Sequence, residues 1–341
     1  IRYFSAGKKK EVLQLLKLNG ALLLITALSL LVIAITFFQV SGQVGRLSGV
    51  SIEDAWFMPF SPRSAISFLL PFATVKEVEW YDTDISMNNA YAGLIVLFFF
   101  VLVLFSRRKF LLNVFLVFGL VALLASFGKY TPVRGMLYHY VPLFNLFRHS
   151  SFFVFFAVLA IIPAAASGLG SYLSDPMIYR KRLIIIASAF TVVIIALMAN
   201  SLVAMNHEGF SFLKPAGDFP DWLRQPSRHE HIVIQAVIQM VVVLTFLLLV
   251  IRKSGSGYRY IPVLIVVEML AAVQLNTYYT VVSAGIDPFE INHILKQKAD
   301  GFPLPVPGMP VSVNTEKNAS CSVIWQNTNI FNKTVSFEGY N

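Results

Sequence analysis

Long apolar runs alternate with shorter polar segments along most of the chain. A helix needs about 20 residues to cross a hydrocarbon core of about 30 Å, and about seven of the runs approach or exceed that length. They cover approximately residues 17–40, 91–106, 109–127, 151–172, 183–205, 232–251 and 260–281. The run at 91–106 reaches full length only if residues 87–90 are added. The pattern predicts an all-α integral membrane fold of about seven transmembrane helices.

Basic residues cluster at every second gap between these runs. The clusters are Lys8–Lys10, Arg107–Lys109, Arg180–Arg182, and Arg252–Lys253 with Arg259. Short loops rich in Lys and Arg stay on the cytoplasmic side of a bilayer, whereas the other gaps carry acids, aromatics and prolines. An N-in, C-out topology is therefore predicted, and it agrees with an odd number of spans.

Composition agrees with a membrane protein. The chain is 56% hydrophobic and only 13% charged, with a mean hydropathy of +0.68, which excludes an ordinary soluble domain. The net charge of +9 comes from residues that flank apolar runs and form no single stripe, so nucleic acid is not an expected partner. A single cysteine, Cys321, excludes an intrachain disulfide framework and a Cys-based zinc site.

Two regions differ from this pattern. Residues 1–285 are predicted to form the transmembrane domain, and residues 286–341 the start of a β-rich extracytoplasmic region that continues beyond the chain. Prolines at 303–310 and the β-prone stretches VSVNT, CSVIWQ and KTVSFEG support the second assignment. The apolar stretch 62–73 is too short to span and predicts an interfacial or re-entrant helix capped by Ser61.

Acidic residues concentrate just before the chain re-enters the membrane near residue 90. Among them, Asp82 and Asp84 are weak candidates for a catalytic base, since a carboxylate at an outer surface can accept a proton from a substrate hydroxyl. The alternative is an ordinary solvated loop. A divalent ion is compatible with such acids, but the sequence indicates no metal site or other cofactor, because 229–231 (His-Glu-His) lacks the spacing of a zinc motif.

The segment 128–150 is the strongest candidate for a binding site. It places Lys129, Arg134, Arg148 and His149 between two predicted spans, among aromatics that include Tyr138. Cations near the headgroup level with aromatics around them suit a phosphate attached to a lipid. The alternative is interfacial anchoring, for which Arg and aromatic residues are also commonly used.

One ionisable residue, Glu268, lies near the middle of the last predicted span. Such a group is costly in a bilayer and is expected to face protein or water. Gln235 and Gln239 share one face of the preceding, antiparallel span. At 1.5 Å per residue their depths are similar, so a hydrogen bond between Gln239 and Glu268 is predicted. Structural pairing and a proton or substrate relay are both open.

Several motifs recur in a family of bacterial membrane proteins. They are Gly128, Thr131-Pro132, Tyr138, Pro142-Leu143-Phe144 and Phe147-Arg148, together with FSPRSAISFLLPF, NNAYAGL and the pair Glu268 and Asn276. On these motifs the chain, over about residues 20–300, resembles the YfhO-like proteins, and ISMNNAYAG and FRHS resemble their Bacteroidetes branch. Family members often have Pro where this chain has Ser150.

The resemblance implies a GT-C-type glycosyltransferase in the bacterial inner membrane. Such an enzyme transfers sugar from a polyprenyl-phosphate carrier to a cell-envelope glycan or lipid at the outer face, with membrane lipids around it. Its usual catalytic acid lies in a first outer loop that nothing in this chain matches, and the chain is expected to be a C-terminal portion. A lipid or glycan transporter or flippase and a non-catalytic envelope-assembly protein are the alternatives.

Overall fold

The computed structural model describes residues 9–40, 49–75, 77–83, 87–106, 108–205, 227–251, 257–280, 309–313 and 316–321. Its α-helices are α1 (Lys9–Val40), α2 (Ile52–Trp56), α3 (Val78–Tyr81), α4 (Leu94–Leu104), α5 (Phe110–Ser126), α6 (Pro132–Tyr140), α7 (Phe153–Ser174), α8 (Pro176–Met205), α9 (Arg228–Ile251) and α10 (Ile261–Thr280). Shorter 3₁₀ turns cover Pro62–Phe68, Pro71–Thr74, Gly128–Tyr130, Phe144–Leu146, Ser150–Phe152 and Gly257–Tyr260. Two strands are described, β1 (Met309–Val313) and β2 (Glu316–Cys321).

Long apolar helices dominate the described part of the chain. Four helical stretches in it are long and apolar enough to cross a membrane, namely Ser150–Ser174, Pro176–Met205, Arg228–Ile251 and Tyr258–Thr277. Shorter apolar stretches occur at Leu16–Leu31, in α4 and in α5. The structure therefore supports the prediction of membrane-spanning helices. The predicted number of about seven spans is larger than these four and stays a prediction. In α1, every residue whose side chain is described is exposed.

The predicted span at 91–106 is much shorter in the structure. Only α4 is helical, and its 11 residues extend about 16 Å, roughly half of a bilayer core. This helix is apolar all round and largely buried, as expected for a helix surrounded by others. Phe98 packs against Phe190 of α8, with ring centroids 5.3 Å apart, and against Phe246 of α9 at the same separation. The helix is therefore shorter than the predicted run, because residues 88–93 have non-helical backbone.

Glycines allow two close helix crossings. A Cβ on Gly168 of α7 would lie 2.3 Å from the carbonyl oxygen of Phe99 in α4. A Cβ on Gly119 of α5 would lie 2.5 Å from the Cβ of Ala160, also in α7. Helix α7 is thus packed between α4 and α5, and small residues at both crossings let the backbones approach closely.

The apolar stretch after Ser61 packs into the bundle. The Ser61 side chain accepts a hydrogen bond from the Ser64 amide at 3.3 Å, which confirms the predicted cap, although the helix is of the 3₁₀ type. Leu70 and Phe72 are fully buried, and the Phe72 ring lies 4.2 Å from the imidazole of His231 in α9. Of the two predicted alternatives, a surface helix and an inserted one, the burial favours the inserted one.

The basic cluster at 180–182 lies where the ends of three helices meet. Arg180, at the start of α8, donates a hydrogen bond to the carbonyl of Ile251 at the end of α9. Arg182 donates to the carbonyl of Phe105, just after α4, at 3.4 Å. We call this the basic end. The segments 49–83 and 127–152 contact each other away from it, and we call that part the loop end.

The two strands pair as an antiparallel hairpin. Met309 faces Cys321 and Val313 faces Glu316, with an irregularity in register between Val311 and Val313. This hairpin falls within the region predicted to be β-rich. Most of 286–341 lies outside the described residues, so the β-rich region as a whole stays a prediction.

Candidate functional site at the loop end

Motif residues of the segment 128–150 fix its backbone. Gly128 has a left-handed φ of 55°, and a Cβ there would lie 2.8 Å from the hydroxyl oxygen of Ser150. Pro132 starts α6, where its missing N–H has no intrahelical role. The Ser150 hydroxyl donates to the carbonyl of Ala55 at 2.7 Å, and this bond attaches the segment to α2. A proline at position 150 would remove that bond.

Arg134 lies inside the loop end. The side chain is fully buried, and its guanidinium donates to the carbonyl oxygen of Phe144 at 3.3 Å and to that of Phe147. Burial lowers the pKa of Arg134 from its ordinary value. The sequence predicted a phosphate contact here, but the guanidinium instead holds the turn at 144–147 against α6. We therefore treat Arg134 as a positioning residue.

Tyr138 has a similar positioning role. Its hydroxyl donates to the carbonyl of Val50 at 2.7 Å, and the Val50 amide donates to the carbonyl of Asn145 at 2.9 Å. These bonds connect α6, the segment before α2 and the turn before Arg148. The tyrosine that was predicted to contact a ligand thus supports the backbone around Arg148.

Arg148 and His149 reach the surface of the loop end. The Arg148 side chain is 34% exposed, and its Nη2 lies 3.8 Å from the Oδ1 of Asp54, itself 49% exposed. Its guanidinium also lies 5.1 Å from the centre of the Phe57 ring. The His149 ring lies 5.7 Å from Phe57 and 5.9 Å from Phe152, on a backbone with φ of 58°.

The Arg148 and His149 side chains contribute to the lining of an apolar groove of about 510 Å³. Apart from Arg148 and His149 its lining is apolar and rich in phenylalanine, including Phe118, Leu137, Phe147, Phe153 and Phe156. It lies between α5, α6 and the start of α7. Its composition suits hydrocarbon, and Arg148 and His149 contribute side-chain atoms to its wall at the loop end.

Phe57 also lines a second pocket of about 440 Å³, which we call the polar pocket because of its charged lining residues. The residues lining it include Glu53, Trp56, Phe57, Glu79, Asp82, Thr83 and Lys129. Lys129 lies 2.5 Å from the Asp82 carboxylate, which also accepts a hydrogen bond from the Tyr130 hydroxyl at 3.1 Å. The contact with Asp82 raises the pKa of Lys129.

The predicted acids therefore differ in their surroundings. Asp82 is engaged by the Lys129 ammonium group and the Tyr130 hydroxyl. Asp84 lies outside the described residues. Lys129 pairs with Asp82 in the polar pocket whereas Arg148 lines the apolar groove, so the two predicted cations line different pockets.

Glu268 binds the buried beginning of α4. Its carboxylate accepts hydrogen bonds from the amides of Leu94 and Ile95, the latter at 3.3 Å, and from the Tyr91 hydroxyl. A carboxylate is well placed at a helix N-terminus, where amide groups have no intrahelical partner. The sequence did not reveal these partners, because periodicity does not show where a helix starts inside an apolar run.

The predicted glutamine partners are both buried beside this helix cap. Gln239 donates to the Tyr91 hydroxyl at 2.7 Å, and that hydroxyl donates to Glu268, so Tyr91 connects the two side chains for which a direct bond was predicted. The Gln235 side chain is 1% exposed, and within the described part of the chain its Oε1 accepts no hydrogen bond. Glu268, Tyr91 and Gln239 thus form a hydrogen-bonded cluster at the start of α4.

The start of α9 contains a capping box. The Ser227 amide donates to the Glu230 carboxylate at 2.6 Å, and the Glu230 amide lies 3.4 Å from the Ser227 hydroxyl. Glu230 and His231 are buried, so this helix start packs against the bundle. No three His, Cys, Asp or Glu side chains come together in a way that could hold a metal ion in the described ranges.

Sequence patterns missed a cation cluster around Trp80. The guanidinium carbons of Arg63 and Arg228 lie 4.2 Å and 4.0 Å from the indole ring centre. Arg228 also pairs with Glu77 at 2.8 Å. The cluster joins the residues around α3 to the start of α9.

Comparisons of the chain with protein-family models, curated proteins and solved structures find no match. The candidate site therefore depends on its own geometry and on the motifs quoted above.

Proposed function

We propose that this chain is the membrane core of a glycosyltransferase that uses a polyprenyl-phosphate-linked sugar to modify a cell-envelope glycan or lipid. The observation that carries the proposal is the position of Arg148 and His149 on the wall of the apolar groove, next to Phe57, which lines the polar pocket. A lipid-linked sugar has the same order of chemical groups: hydrocarbon, phosphate, then hydroxyls.

The groove suits the lipid chain. Its phenylalanine-rich walls between α5 and α7 can pack against an isoprenoid chain. Arg148 lies where the phosphate of such a lipid would bind. An arginine presents a planar pair of N–H donors that matches two phosphate oxygens. The resemblance to YfhO-like proteins agrees with this assignment.

The polar pocket suits the sugar. Trp56 and Phe57 offer faces for a pyranose ring, and Glu53 and Glu79 offer carboxylates for its hydroxyls. In the transfer, an acceptor oxygen bonds to the anomeric carbon as the carbon–oxygen bond to the phosphate breaks. The acceptor proton passes to a base, and the departing phosphate is stabilised by Arg148. Asp82 is not favoured as that base, because Lys129 holds it.

The proposal includes a membrane arrangement. About seven spans with the basic end in the cytoplasm place the loop end and the β-rich region outside, in a bacterial inner membrane. The supporting observation is that Arg180 and Arg182 both contact helix ends at the basic end.

A transporter or flippase is the second candidate, and one feature favours it. Helix α4 begins inside the protein at non-helical residues, next to the ionisable Glu268. Interrupted helices whose N-termini lie near the membrane centre are common at transporter binding sites. Under this reading Glu268 would carry a proton or contact the cargo.

The decisive measurement is the binding of a polyprenyl monophosphate to purified protein in nanodiscs. Arg148→Lys keeps the charge but loses the paired donors, so binding should weaken by about 1–3 kcal/mol, or about 5- to 150-fold. Arg108→Lys is the matched control, since Arg108 also lines an apolar groove, of about 520 Å³, near the basic end. Binding to that variant should be unchanged.

Two outcomes would contradict the proposal. Equal affinities for wild type and Arg148→Lys would make Arg148 an interfacial anchor only. Inorganic phosphate that binds as tightly as the lipid would mean that the groove takes no part. Transport of the lipid across the bilayer without sugar transfer would favour the second candidate.

A further inference from the structure

We infer that Asp54 is a displaceable counter-ion that pairs with Arg148 until the phosphate of the ligand replaces it. The inference rests on the proposed function, because it concerns how the same site recognises its anionic ligand. It assigns to Asp54 a part that neither the motifs nor the predicted site residues indicated.

The first observation is that the donor pair of Arg148 is only half used. Nη2 lies 3.8 Å from the Asp54 carboxylate, the long limit of an ion pair. The adjacent Nε is shielded from solvent and has no hydrogen-bond acceptor among the described residues. Nε and Nη2 form the edge of a guanidinium that binds two oxygens side by side. A buried donor without an acceptor is costly, so this edge favours a ligand that supplies both oxygens.

The second observation is that Asp54 does not hold Arg148 in place. The guanidinium is already positioned on the Phe57 ring, and the backbone beneath it is fixed by Arg134 and Tyr138. The Asp54 carboxylate has its own partner at 3.0 Å, the Ser51 hydroxyl at the cap of α2. It can therefore release Arg148 without losing its place in the helix.

Electrostatics then determine the sign of the effect. A phosphate that reaches Arg148 must break the contact with Asp54 and approach a second negative charge. Removing that charge should favour the bound state, and the size of the gain follows from an exposed ion pair. Asp54→Asn should tighten binding of a polyprenyl monophosphate about two- to fivefold in nanodiscs, and the gain should shrink at high salt.

Controls separate a local effect from a change in net charge. Asp175→Asn removes one acidic charge at the basic end, keeps an acceptor for the Ile178 amide, and should leave binding unchanged. In an Arg148→Gln background the Asp54→Asn gain should fall below about twofold, because no cation remains to be released. Asp54→Ala serves as a second variant if the asparagine protein folds poorly.

Equal or weaker binding by both Asp54 variants would overturn the inference and make Asp54 an orienting partner of Arg148. The proposed function would survive that result if Arg148→Lys still weakened binding. Loss of the Arg148 effect itself would instead reject the phosphate site, and the inference with it.

Discussion

The crossing of α7 over α4 gives a sharp test of the packing. Gly168→Ala would place a Cβ 2.3 Å from the carbonyl oxygen of Phe99 and 2.9 Å from the Cγ2 of Val103. Ordinary contacts begin near 3.4 Å, so the helices must separate by about 1 Å. Such overpacking costs about 1–3 kcal/mol.

Gly170→Ala is the matched control in the same helix. A Cβ at Gly170 meets nothing within 4 Å, so this variant reports only the higher helix propensity of alanine, a gain of up to about 1 kcal/mol. Because both variants share this gain, the Gly168 variant should be less stable than the Gly170 variant by the overpacking cost alone, about 1–3 kcal/mol. Unfolding by SDS in detergent micelles, followed by circular dichroism, measures the difference.

A double variant tests the cause of the loss. Val103→Ala removes one of the two close contacts and leaves the one with the Phe99 carbonyl. It should therefore restore only part of the stability that Gly168→Ala loses. Equal unfolding of the Gly168 and Gly170 single variants would refute the close crossing of α4 and α7, and with it the buried position of α4.

Three further predictions concern other parts of the chain. Burial raises the pKa of Tyr81 to about 12. The stability that its neutral phenol contributes is therefore complete below pH 10 and is lost as the pH rises towards 12. Tyr81→Phe should abolish that loss when unfolding is measured across this pH range. Glu268→Gln should lower stability by about 1–3 kcal/mol, because an amide has one acceptor oxygen for the helix start; unchanged SDS unfolding would contradict the cap. In a Cys321→Ser background, Asp218→Cys should be labelled from outside and Ser254→Cys only after permeabilisation; the reverse pattern would refute the topology.

The sequence predicts the bounds of several long helices, whereas it does not predict where α4 begins. Helices α7, α9 and α10 begin and end within about four residues of their predicted runs, because a continuous apolar run of that length has few alternatives. For α4, the apolar run continues past the true helix start. That start depends on Glu268, which lies 174 residues away in the sequence, and no local pattern reports such a contact.

The candidate site was predicted as a segment but not residue by residue. Arg134 and Arg148 each follow an apolar residue between the same two predicted spans, yet the first is fully buried against carbonyl groups and the second is partly exposed beside a groove. Asp54 and Phe57 come from a part of the chain about 90 residues earlier, and only the fold brings them to Arg148. Burial and long-range contacts decide such roles, and a hydropathy pattern along the sequence reports neither of them.

The cap of α4 has a consequence for the order in which the protein is made. Chains emerge at about 5–20 residues per second, so the 174 residues between Leu94 and Glu268 take about 9–35 s to synthesise. During that interval the amides at the start of α4 lack their carboxylate, and a half-length apolar helix is a poor substrate for insertion on its own. Helix α4 is therefore expected to settle only after the last membrane helix arrives. Chains that stop before α10 should be degraded or held by chaperones, however complete their earlier helices are.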